Sequence, residues 1–143
     1  PPASYYGAPA DWKWDMTQPR SLESPVRMGV LMHPAWLISK SSNFDNNIVS
    51  RGAWIRTHLL GGTLLDLPVG IDAQVPEIEG KTLRERVNIA VGETECWRCH
   101  KKMNQLGEPF ERFDHYGRYR FEELGRDVDV SGDITLTGDA SLD

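Results

Sequence analysis

The chain has 143 residues, 39% of them hydrophobic, which is material for one modest core and not for two. A formal net charge of −5, with lysines and arginines scattered along the chain, excludes the basic face of a nucleic-acid binder. No run of about 18 apolar residues is present to span a bilayer, and two cysteines are too few to staple a fold.

Residues 1–27 carry Pro1, Pro2, Pro9, Pro19 and Pro25 together with Trp12 and Trp14. Prolines interrupt a helix and indoles seek apolar cover, so this stretch is predicted as an extended arm lying on the core, the end of a preceding region. The Pro1-Pro2 start and the turn-like "TGDASLD" end are those expected of a piece of a longer chain or larger assembly. In "MGVLMHPAWLI" (28–38), Gly29 and Pro34 split a buried apolar run, and a short strand or single helical turns fit equally well. "SSNFDNN" is a polar loop ending in a cap at Asn47. Ile48, Trp54, Ile55 and Leu59 then recur at helical spacing until Gly61-Gly62.

Residues 63–81 mix proline and glycine without a period and are expected to wrap as a long loop. Thr82 and Glu85 form a capping box ahead of the Leu83, Val87, Ala90 and Val91 stripe, so a second helix is predicted from Leu83 to Val91. A third helix should start near Thr94 and continue through Met103. "EPFERFDHYGRYR" predicts a helical turn closed by Gly117, and "DVDVSGDITLT" alternates like a hairpin about Ser131-Gly132. Asp127, Asp129, Ser131 and Asp133 alternate as in a calcium loop, but Gly138 stands where the bidentate glutamate belongs, which favours the hairpin. The predicted class is mainly α, with long loops, a Pro-rich N-terminal arm and a C-terminal β-hairpin.

Cys96, Cys99 and His100 are the chemical centre of the sequence. On a helix the two thiols share one face, and the imidazole lies four residues past the first. That spacing suits two thioether bonds to neighbouring vinyl groups of a porphyrin, with His100 beneath the iron, the arrangement of covalent haem c. A tetrahedral zinc would need a fourth ligand from His33, His58 or His115, and a redox dithiol would sit after a strand. Residues 28–143 are thus expected to form a small cytochrome-c-like helical domain with one haem.

The string "CWRCHKKMNQLGEPFERFDHYGRYR" resembles the haem-binding segment of a family of secreted bacterial c-type cytochromes, abundant in planctomycetes and formerly classed as domains of unknown function. Met103, Leu106, Gly107, Glu111, Phe113, Asp114, Gly117, Arg118 and Arg120 match it in step, while Asn104-Gln105 and Tyr119 depart. "RMGVLMHPAWL" and "IVSRGAWIRTHLLGG" are similar to its upstream segments, "YYG" to the end of a preceding helical domain, and "DVDVSGD" to a downstream stretch. The resemblance implies electron transfer in the periplasm or at the cell surface, with a redox protein or other subunits as partners. An open-site, peroxidase-like haem enzyme and an accessory subunit are the alternatives.

The second axial ligand is not set by the motif. Met103 follows His100 on what is expected to be the same helix, so it should pack at the haem edge on the proximal side. His33, flanked by apolar "VLM" and "AWL", is expected on the distal face, with Met32 the alternative. Arg118 and Arg120 are candidates for pairing with haem propionates, since a guanidinium forks onto a carboxylate. Trp36, Trp54 and Trp97 are expected as core and pocket walls.

Overall fold

The structure, a computed structural model, describes residues 26–64, 74–92 and 95–134. The predicted arm lies almost wholly outside the described residues, as does the middle of the loop at 63–81. The apolar stretch at 28–38 resolves into helical turns: a 3-10 turn, Val30–Met32, leads into α1 (Pro34–Ser39). Pro34 opens α1 because its fixed φ suits the first helical position and its missing N–H has no partner to lose there.

α2 (Ile48–His58) and α3 (Leu83–Val91) form where the sequence placed them, and for local reasons. Asn47 caps α2 by accepting from the Ser50 amide at 2.8 Å. Thr82 and Glu85 close the reciprocal capping box of α3, with the Thr82 amide 2.8 Å from Glu85 Oε2.

The third helix is shorter than expected. α4 (Glu95–His100) stops at the histidine, and the chain turns through residues 101–103 before restarting as α5 (Asn104–Gly107). Lys102 and Met103 bond back three residues, to the carbonyls of Cys99 and His100, which tightens the chain out of α-helical register. A 3-10 turn at Glu108–Phe110 follows, and a bridge between Phe113 and Tyr119 encloses the loop that holds Gly117.

A hairpin forms upstream of the one expected at 127–137, whose residues 135–137 lie outside the described residues. β1 (Glu122–Glu123) pairs antiparallel with β2 (Arg126–Asp127), Glu122 opposite Asp127 and Glu123 opposite Arg126. The two loop residues, Leu124 and Gly125, have φ of 54° and 70°, the positive pair of a type I′ turn, whose twist matches that of paired strands. Around Ser131 the described chain is irregular. Its amide bonds to Asp129 Oδ1 at 2.9 Å, and Asp133 N bonds to Gln105 Oε1 at 2.7 Å, so side chains take the donors a ladder would have used.

Two buried clusters share α2. Ile55 joins Trp36, Leu37, Leu106, Phe110 and Phe113, with Trp54 and Met32 partly buried against them. Ile48 joins Leu83, Val87 and Val91, with Cys96 and Trp97 packed on that group. The expectation that Trp36, Trp54 and Trp97 serve as core walls therefore divides: the first two belong to one cluster and Trp97 to the other. α5 crosses α2 at glycines. A Cβ at Gly52 would overlap the Met103 carbonyl, and one at Gly107 would overlap that of Ile48. Only hydrogen side chains allow this approach.

Candidate functional site

α4 presents Cys96, Cys99 and His100 within two turns, all half-buried, and neither cysteine is in a disulfide. Cys96 and Trp97 pack on the Ile48, Leu83, Val87 and Val91 cluster, so that side of α4 is held against α2 and α3. His100, the last residue of α4, has its Nδ1 3.2 Å from Asn104 Oδ1. An amide oxygen only accepts, so Nδ1 carries the hydrogen and the ring lone pair sits on Nε2. That is the nitrogen a metal would take.

Asn104 itself is fully buried, at 0% exposure, and its Nδ2 has no hydrogen-bond partner among the described residues. Among those residues no group of three or more His, Cys, Asp and Glu is arranged to hold a metal ion, so a tetrahedral zinc at Cys96 and Cys99 gains no ligand set.

Met103 is buried, but it lies beyond the end of α4 rather than on it. What keeps it beside His100 is the bond from its amide to the His100 carbonyl at 3.0 Å, together with its carbonyl's seat against Gly52. His33 is exposed, not buried by its apolar neighbours. It caps α1, its Nδ1 accepting from the Ala35 amide at 3.2 Å. Pro34, not the polar surface, sets this: a helix that starts at residue 34 points the preceding side chain back along its own axis end. The Met32 sulfur accepts from the Met28 amide at 3.2 Å. His58 stacks on Trp54 with centroids 4.9 Å apart and its Nδ1 3.1 Å from the Trp54 carbonyl oxygen.

The two arginines expected to pair with haem propionates have partners of the protein's own among the described residues. Arg118 is exposed, its guanidinium 4.7 Å over the Tyr116 ring. Arg120 faces the protein's own carboxylates, with NH2 3.6 Å from both Glu111 Oε2 and Glu123 Oε2 and Nε bonded to the Glu111 carbonyl oxygen at 2.9 Å.

Glu111 and Arg51 form a buried charged centre that the sequence reading did not single out. Glu111 is 1% exposed, and its Oε1 accepts from Asn46 Nδ2. Burial pushes its carboxyl up to about 8, with Arg120 and Arg51 pulling the other way and Glu123 and Asp45 adding to the rise. Burial likewise lowers Arg51 to about 10, partly offset by Glu111. A raised carboxyl favours the protonated folded state, so its contribution to stability is full below pH 4.5 and gone above about pH 8. Between those limits stability should fall by up to about 1.4 kcal/mol per pH unit from this group. Denaturant midpoints measured across that window should fall with pH in the parent chain, and Glu111→Gln should flatten the slope. An identical slope in both would refute the assignment.

Residues 27–123, more than half of the chain, match the family described as "PSCyt3: Protein of unknown function (DUF1588)". No curated protein and no solved structure matches the chain. No helix among the described residues is long and apolar enough to cross a membrane.

Proposed function

The chain belongs to the PSCyt3 (DUF1588) family, a planctomycete cytochrome c-like family, and from that premise we propose that it is a mono-haem c-type cytochrome domain that transfers electrons. Cys96 and Cys99 would hold the haem through thioethers, and His100 would ligate its iron through Nε2. When bound, the group supplies a one-electron ferric/ferrous couple. The observation that carries the reading is the His100 Nδ1 to Asn104 Oδ1 bond, which leaves the lone pair on Nε2 of the histidine that closes a Cys-x-x-Cys-His segment.

The chain's own groups have separate tasks. α3 and α2 seat the base of α4 through Cys96 and Trp97, so the thiols are presented from a packed helix and not from a loop. Asn104 orients the imidazole. Met103, buried next to His100, offers a polarizable thioether to whatever lies beside the ring. His33, with Met32 as the alternative, would be the second residue of this chain to hold the iron. The setting is the periplasm or the cell surface, where a redox protein or a larger assembly would exchange the electron.

The test is intact mass under denaturing conditions after expression with a c-type cytochrome maturation system. One haem of added mass is expected, with incomplete attachment in Cys96→Ser or Cys99→Ser and none in the double variant. Two thiols that alkylate readily, with no added mass, would overturn the reading.

A further inference from the structure

We propose that Asn104 is the positioning residue for His100: it fixes the ring's tautomer and orientation and, being a neutral acceptor, keeps the ferric/ferrous potential above the value a carboxylate there would impose. This rests on the haem reading above.

The first support is geometric. The His100 Nδ1 to Asn104 Oδ1 contact of 3.2 Å spans four residues, yet the two side chains are not on one helix. α4 ends at His100 and α5 begins at Asn104, so the bond bridges the break in the chain. Because the turn at 101–103 has left α-helical register, the position of the acceptor depends on how α5 is held.

The second support is the rigidity of that hold. α5 begins immediately after the Met103 carbonyl, which lies against Gly52, and ends at Gly107, which lies against the Ile48 carbonyl. Both glycines approach facing backbone too closely for a Cβ, so α5 cannot slide or roll on α2 without a clash. The amide oxygen is therefore presented to the imidazole from a fixed frame.

The third support is what Asn104 lacks. It is completely buried while its Nδ2 has no hydrogen-bond partner among the described residues. A buried amide with an unpaired donor destabilises the fold, so the side chain is poorly explained by stability alone. Its other end makes the bond to the His100 ring.

The electronic consequence follows from the acceptor's charge. A carboxylate would draw the Nδ1 proton further, make Nε2 a stronger donor and favour ferric iron. An amide draws it less. Asn104→Asp should therefore lower the potential by about 59 mV or more, a tenfold shift in the ferric/ferrous ratio at fixed applied potential. It should also raise the iron–histidine stretching frequency in resonance Raman spectra of the five-coordinate ferrous protein left by photolysis of its carbon monoxide adduct.

Asn104→Leu removes the acceptor without adding a buried charge, and should move both readouts in the opposite direction. It decides the matter if the aspartate variant does not fold. A haem-loaded parent whose variants leave potential and stretch unchanged overturns the role of Asn104 and leaves the haem reading standing. A parent that carries no haem mass overturns the haem reading, and this role with it.

Discussion

Replacing Gly52 with alanine should cost about 3 kcal/mol or more, at the upper end of what overpacking does to a close-packed interior. The added methyl would occupy the space of the Met103 carbonyl oxygen, which is backbone and cannot turn aside as a flexible side chain would. That carbonyl also accepts from the Leu106 and Gly107 amides, so displacing it strains the whole of α5. For a domain of this size a loss on that scale lowers the melting temperature on the order of 10 °C. Thermal unfolding followed by circular dichroism measures it. Gly107→Ala should behave similarly, because its methyl would meet the Ile48 carbonyl on the other side of the same crossing. If Gly52→Ala melted within a degree or two of the parent, the close approach of α5 to α2 would be wrong, and the frame argued for Asn104 would go with it.

Arg51→Met should be the most damaging of the single substitutions that leave the backbone alone, at about 3 to 5 kcal/mol. Arg51 is 0% exposed. Its NH1 donates to the carbonyl oxygens of Phe110 at 2.8 Å and Phe113 at 2.9 Å, and its NH2 donates to Ser41 Oγ at 3.1 Å and the Asp114 carbonyl at 3.2 Å. These bonds fasten the loop after α5 to α2. A methionine of similar length fills the space but takes the side-chain donor from the Phe113 carbonyl and one of two donors from the Phe110 and Asp114 carbonyls, which keep the Phe113 and Gly117 amides, and an unsatisfied buried acceptor costs about 1 to 3 kcal/mol. It also removes one of the positive charges that moderate Glu111.

Arg51→Lys retains the charge but not the planar fork that reaches acceptors on two sides, so it should fall between the parent and the methionine variant. Urea midpoints with unchanged slopes would rank the three. Arg51→Met combined with Glu111→Gln should cost less than the two singles added together, since the second change removes a carboxyl left with weaker compensation. Full additivity, or a methionine variant as stable as the parent, would show that the buried arginine is not what holds this loop.

The features that could be read from the sequence are those whose physical cause lies within about four residues. Asn47 caps α2 through Ser50, and Thr82 caps α3 through Glu85; each is a side chain bonding to backbone three positions away, so spacing and residue type suffice. The same holds for Cys96, Cys99 and His100, whose grouping follows from one stretch of helix. The hairpin that formed upstream of the expected one is also instructive. "DVDVSGD" has the right alternation, but the chain turns at Leu124-Gly125, where a leucine takes positive φ, and nothing in leucine's own preferences announces that.

Tertiary structure alone decided the rest. Arg51 looks, in sequence, like a solvated residue on an amphipathic helix, and becomes a buried clamp only because Phe110 and Phe113 return to it from 59 and 62 residues away. Glu111 is a matched position in a familiar-looking segment until Asn46, 65 residues distant, closes over it and burial raises its carboxyl. Asn104 stands four residues from His100, near enough to be suspected. Whether its oxygen would meet the ring depended on the helix breaking at residue 100 and on α5 settling against Gly52, a contact between backbones that no local pattern encodes. Sequence therefore determined the chemistry available in this protein, because donors and caps act locally. The fold determined which of those groups are buried, oriented and charged, because desolvation and packing depend on what arrives from far along the chain.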